Sequence, residues 1–255
     1  MCYHGLGHGV LAYADYDLKR AVALCQKAGT AHYGYEEGNQ CVGGVIMEII
    51  SGGGHNHDLW EKQRVQWLKP EDPLYPCKAD FMPEGAKTFC YLYITPYLWI
   101  AAGGDIGTTD SAVFEKAFRF CDGLPKNDAR GRDVCYGGFG KEFIVLAQER
   151  DIRKMSEMTR PQFERVYSWC LLAKNKEGSA ACLANAVYSL YWGGENAPDA
   201  AIRFCTPIPD TYLRGSCMVS IIRSVASYQK DPVYRDGFCR QLLPEYAKLC
   251  VSSLQ

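Results

Sequence analysis

The chain has 255 residues, of which 47% are hydrophobic and 22% charged, with a formal net charge of −1. That hydrophobic fraction supports a sizeable core, and the near-neutral charge argues against nucleic acid or an anionic membrane as the main partner, because both select basic patches. No run of 18 or more uninterrupted apolar residues occurs, so no segment reads as a membrane-spanning helix.

Thirteen cysteines are the most informative feature. None stands in a C-x-x-C arrangement, the spacing common at metal clusters. Twelve form pairs of similar spacing: Cys25/Cys41, Cys77/Cys90, Cys121/Cys135, Cys170/Cys182, Cys205/Cys217 and Cys239/Cys250. Regular pairs without metal-ligand spacing predict disulfides, and so an oxidising compartment, secreted or periplasmic. In the chain-entropy model, closing each such loop stabilises the fold by roughly 3 kcal/mol.

In chain order, Met1 is followed at once by Cys2-Tyr3-His4-Gly5. The expectation is a processed or trimmed chain with an added Met1, lacking an upstream half-repeat that would carry the partner of Cys2. Cys2 is therefore expected to be free, or joined to something outside this chain. The segment CYHGLGHGVLAYADYD reads as a helix ending in an Asp-containing turn. His4 and His8 stand at i and i+4, on one helix face, which is the spacing of helical metal ligands. Gly5, Gly7 and Gly9 each cost about 1 kcal/mol relative to Ala inside a helix, so close packing or a ligand near the backbone is expected. The helix N-terminus should keep both rings neutral, although the same dipole mildly opposes a bound cation.

DLKRAVALCQKAG is the next predicted helix, and CVGGVIMEIISGGGHNHD follows from Cys41. Met47 and Glu48 stand six and seven residues after that cysteine, as His8 stands six after Cys2. If neighbouring repeats align, Glu48 meets His4 and His8. The resulting two-histidine, one-carboxylate set suits copper, zinc or iron with open coordination positions. The stretch Gly52-Gly53-Gly54-His55-Asn56-His57-Asp58 reads as a solvated loop, or as a separate weak metal site, roughly 15 Å along the helix direction from the His4/His8 level. A single site using all four histidines is therefore not expected.

Pro70, Pro73, Pro76 and Pro83 surround Cys77 and argue against a regular helix there. From Cys90 the chain resumes as CYLYITPYLWIAAGGD, where Tyr91, Tyr93, Tyr97 and Trp99 read as core. SAVFEKAFRFCDGLP then leads to CYGGFGKEFIVLAQERD. In that segment Lys141 and Glu142 read as a surface charge pair, or as acid/base groups if they share a groove with Glu48. Thr159-Arg160-Pro161-Gln162 predicts a capping box with proline in the first turn, opening PQFERVYSWCLLA. CLANAVYSLYWGGEN follows, with Tyr188, Tyr191 and Trp192 read mostly as core, a minority of the aromatics lining a concave face for peptide or glycan contacts, and Asn196 as the cap of PDAAIRFCTPIP. The last segments are CMVSIIRSVASYQKD and DGFCRQLLP, before Cys250.

Each cysteine pair thus ties the end of one helix, here termed A, to the beginning of the next, termed B, across a short loop. The B cysteines recur at 39, 49, 45, 47, 35 and 33 residues, a range that suits a helical-hairpin solenoid with insertions. Leu6-Gly7, Asp17, Arg20-Ala21 and Ala28-Gly29 resemble the Sel-like repeats, relatives of the tetratricopeptide repeats. The cysteine pattern is similar to that of the bacterial cysteine-rich proteins built from such repeats. The G-x-G-V turn of that family before the Asp is missing, and the spacings here are longer and uneven. The resemblance implies a secreted or periplasmic binding solenoid and supplies no catalytic residues.

The expectation is therefore a single all-α domain over 1–255, an α-solenoid of about six disulfide-stapled hairpins. It would bind a peptide, protein or glycan on a concave face and hold a divalent metal (copper, zinc or iron) through His4, His8 and Glu48. The alternative is a metal-dependent oxidoreductase or hydrolase using that site, with Lys141 or Glu142 assisting. No nucleophile elbow, H-E-x-x-H, phosphate loop or dinucleotide fingerprint is present.

Overall fold

The computed structural model describes residues 2–28, 36–193 and 197–254, and of residues 2, 152–154, 193 and 254 only the backbone. It is all-α. Among the described residues fifteen α-helices follow one another: α1 (Cys2–Tyr13), α2 (Leu18–Ala28), α3 (Glu36–Ser51), α4 (His57–Trp67), α5 (Tyr75–Lys78), α6 (Glu84–Tyr93), α7 (Thr95–Ala101), α8 (Ser111–Asp122), α9 (Ala129–Ala147), α10 (Arg160–Cys170), α11 (Lys176–Gly193), α12 (Asp199–Cys205), α13 (Thr211–Tyr228), α14 (Pro232–Cys239) and α15 (Pro244–Leu254). Among the described residues there is no strand, only an isolated bridge between Lys69 and Asp72. No described helix is long and apolar enough to cross a membrane.

All six expected disulfides form, with Cα–Cα distances of 5.4–5.7 Å. Their place in the helices differs from the expectation. The B-helices do not open on their cysteines: Cys41 is the sixth residue of α3, and Cys135 and Cys182 are the seventh residues of α9 and α11. Each disulfide therefore joins the end of an A-helix to the second turn of a B-helix. In α3 and α11 the residues before the cysteine are polar or small, which hides the first turn from a hydrophobic-period reading.

The residue three before the B cysteine closes the preceding helix in several hairpins. Arg132 donates through Nη1 to the carbonyls of Asp122 and Leu124 at 3.1 and 3.2 Å. Arg214 likewise donates to the carbonyl of Ile208 at 3.0 Å, and the Ser179 hydroxyl donates to that of Cys170 at 3.1 Å. Leu124 and Ile208 each stand three residues after their A-helix cysteine, so the arginines occupy the same place in two repeats. Both satisfy carbonyls that a helix C-terminus leaves without intrahelical partners.

The chain divides into two compact units, Met1–Gly138 and Phe139–Gln255, with the division inside α9. In the first unit α1 packs on α3 and α3 on α6; in the second, α11 packs on α13 and α13 on α15. Glycine sets the helix spacing. A Cβ on Gly7 would overlap the Cys41 carbonyl oxygen, and one on Gly140 would overlap that of Cys182. Gly7 and Gly140 both stand five residues after their B cysteine, so the same register occurs once in each unit. Gly44 and Gly138, three after theirs, meet the carbonyls of His4 and Leu92, each on the preceding B-helix. Gly5 and Gly9 have open space around them, so only one of the three glycines in the first helix answers to close packing. Nothing in the structure explains the other two.

Other expectations are met in part. The capping box at Thr159 and Gln162 is present, and Gln162 also donates to the Ala147 carbonyl at 3.0 Å. Asn196 lies outside the described residues, and the residue before α12 is Pro198. The proline-rich region keeps a four-residue helix at Cys77, and the segment after Cys90 breaks into α6 and α7 just before Pro96. Tyr91, Tyr97, Trp99 and Tyr191 are buried, whereas Tyr188 and Trp192 are exposed and so are not core. Burial pushes the Tyr91 phenol up to about 12, helped by Asp128, Glu84 and Asp72.

Candidate functional site

The close approach of α1 and α3 at Gly7 and Gly44 brings side chains from both helices onto one seam. His4 and His8, one turn apart on α1, lie with ring centroids 5.5 Å apart and their planes nearly perpendicular. Across the seam, His8 Nδ1 is 2.9 Å from Glu48 Oε2. An ionised carboxylate only accepts hydrogen bonds, so Nδ1 is the donor of this pair. His4 Nε2 lies 3.2 Å from the thioether sulfur of Met47.

Both histidine rings are held by their surroundings. The His4 ring packs on Tyr93 of α6 at 4.7 Å between centroids. Gly43 makes room for that stack, since a Cβ there would come within 2.7 Å of the Tyr93 ring and 3.2 Å of His4 Nδ1. Glu48 is fixed at both oxygens: Oε2 by His8, and Oε1 by the backbone N–H of Gly53 at 3.0 Å. Gly53 takes a positive φ of 91°, which favours glycine, and lies against the Trp60 ring. The Trp60 indole in turn donates to the carbonyls of Glu48 and Ile49, both at 3.1 Å.

Of the sequence-predicted metal residues, His4, His8 and Glu48 are therefore neighbours on one seam. Among the described residues, no group of three His, Cys, Asp or Glu side chains is arranged to hold a metal ion. Glu48 instead makes the bonds of an orienting carboxylate, held by a backbone amide and bound to an imidazole. Two features were not anticipated. Met47 was placed at this level of the repeat but not counted as a donor, although its position equivalent to His8 was the available signal. The glycine run after α3 was read as a solvated loop, yet the Gly53 amide is what anchors Glu48. His55 and His57 are indeed exposed, and α4 begins at His57.

Lys141 and Glu142 pair with each other in the second unit. The pair is not solvated as a surface pair would be, because Glu142 is only 5% exposed. Its companion charge meets the cost of burying the carboxylate. A separate cluster of exposed aromatics joins α11 and α13, where the Trp192 and Tyr228 rings meet edge-on at 4.4 Å.

Comparison with protein-family models, with curated proteins and with solved structures returns no match for this chain. Its function is argued from the seam itself.

Proposed function

We propose that this chain is a secreted or periplasmic helical-hairpin protein, of the Sel-like kind its sequence resembles, that binds a metal ion between α1 and α3 through His4 and His8. The observation that carries the reading is the doubly anchored Glu48. One carboxylate oxygen is held by Gly53 N–H and the other binds His8 Nδ1 at 2.9 Å. A carboxylate that fixes the tautomer and orientation of an imidazole is the usual companion of a metal-ligating histidine. With Nδ1 so occupied, the Nε2 lone pair of His8 is the one left to bind a metal, beside a second histidine one turn away. The six disulfides support an oxidising compartment, where structural cysteines are already committed and histidine becomes a main metal ligand.

The test is elemental mass spectrometry on protein purified without chelators, wild type beside the His4→Ala/His8→Ala double variant. Near one equivalent of copper, zinc or iron is expected in the wild type and none in the variant. Absence of metal from both, with equal thermal stability, would overturn the proposal.

A further inference from the structure

We propose that the third donor of this seam is the Met47 thioether rather than the Glu48 carboxylate, and that the site is consequently selective for monovalent copper. The inference rests on the metal-binding reading above and assigns its ligands and its metal.

Three observations support it. First, His4 Nε2 and Met47 Sδ are 3.2 Å apart. Bond lengths of about 2.0 Å to nitrogen and about 2.3 Å to sulfur put two donors on one ion slightly farther apart than that. A thioether only accepts, so His4 Nε2 donates to Met47 as the structure stands. An ion between them would replace that proton, which passes to Nδ1, and the donors would part by tenths of an ångström. Second, both Glu48 oxygens are engaged, one with His8 Nδ1 and one with Gly53 N–H. An oxygen held on Nδ1 stands on the side of the ring away from Nε2, so Glu48 reaches an ion on Nε2 only by leaving His8, whereas ligation by Met47 leaves that bond intact. Third, the seam is built to hold these groups at this separation. Gly7 and Gly44 allow the backbones of α1 and α3 to touch, and Gly43 seats the His4 ring against Tyr93.

The chemistry of the donor set then selects the metal. Two neutral imidazoles and a thioether supply no negative charge, which disfavours hard divalent ions. The soft sulfur favours a soft, low-charge ion, and among biological metals Cu(I) fits that description. Glu48 becomes a positioning residue, raising the basicity of His8 without entering the coordination sphere.

The experiment is a competition for Cu(I) against bicinchoninate under nitrogen. Ascorbate is the reductant, so that the disulfides persist, and a Cys2→Ser background removes the thirteenth cysteine. Zn(II) is titrated in parallel, and copper X-ray absorption is recorded on the loaded protein. The parent should take one equivalent of Cu(I), with sulfur scattering near 2.3 Å. Met47→Leu, which keeps the volume of the side chain, should lose at least tenfold in Cu(I) affinity and all sulfur scattering, with Zn(II) affinity changed less than twofold. Glu48→Gln should weaken Cu(I) by about 10- to 100-fold while the sulfur scattering stays. If Cu(I) binds the parent and depends on His4 and His8, but Met47→Leu neither weakens it nor alters the spectrum, the inference fails and the metal-binding reading stands. A parent that takes up neither metal overturns both.

Discussion

A methyl group is enough to separate the roles of the glycines in the first helix. Gly7 has the Cys41 carbonyl where a Cβ would go, whereas Gly9 has nothing within 4 Å. Gly7→Ala should therefore push α1 off α3 and destabilise by about 1–3 kcal/mol, the usual range for overpacking. Gly9→Ala removes only backbone entropy and should stabilise by up to about 1 kcal/mol. Chemical denaturation of the two variants reads both signs in one experiment, and equal effects would show that Gly7 is not at a close approach. The same residue-scale logic governs the seam between α1 and α3. Glu48 is anchored by an amide from the glycine run after its own helix, so its direction is set locally, and Met47 reaches His4 only because Gly7 and Gly44 let the backbones meet.

At the scale of the element, the helices are defined by their ends as much as by their apolar faces. Asp210 caps α13, its carboxylate accepting from the Leu213 backbone N–H at 2.9 Å. That hydrogen bond, aided by Lys176 and opposed by desolvation, holds the carboxyl below its ordinary value of 3.8. A carboxyl whose pKa is lowered by folding stabilises the folded state above its unfolded pKa and loses that contribution as pH falls through the folded one. The Asp210 contribution should therefore be complete above about pH 5 and decline below 3.8. Asp210→Asn keeps an acceptor for the Leu213 amide but cannot titrate. Its melting temperature should fall less steeply than that of the wild type between pH 5 and pH 2. Parallel curves for the two proteins would exclude the cap as a titrating contributor. The A-helices were legible from the sequence because they carry strong caps and apolar periods, as at Thr159 and Gln162. The first turns of the B-helices were not, because Arg132, Ser179 and Arg214 face the preceding helix end instead of the core.

For the whole molecule, each compact unit contains three disulfides: Cys25–Cys41, Cys77–Cys90 and Cys121–Cys135 in the first, and the other three in the second. At about 3 kcal/mol each, six cross-links together exceed the total stability of about 5–15 kcal/mol typical of a folded chain. Full reduction by a phosphine should therefore abolish the cooperative thermal transition, followed by circular dichroism with thiol counting by alkylation. A fully reduced protein that still melted cooperatively near the native temperature would show that packing alone suffices.

The sequence by itself determined the all-α class, the six cysteine pairs and the alternation of A- and B-helices at most of them, though not α4, because disulfide loops of 11–16 residues and the 3.6-residue apolar period are local properties. It also pointed to His4, His8 and Glu48 as one neighbourhood, since repeats of similar length place equivalent positions side by side. Only the tertiary structure decided what those residues do there. Whether Glu48 faces an ion or His8, and whether Met47 reaches His4, depends on tenths of an ångström between α1 and α3. That spacing comes from glycines on two helices 37 residues apart in the chain, Gly7 and Gly44, meeting carbonyls on the opposite backbone. A spacing pattern along one strand of sequence carries no record of such a contact.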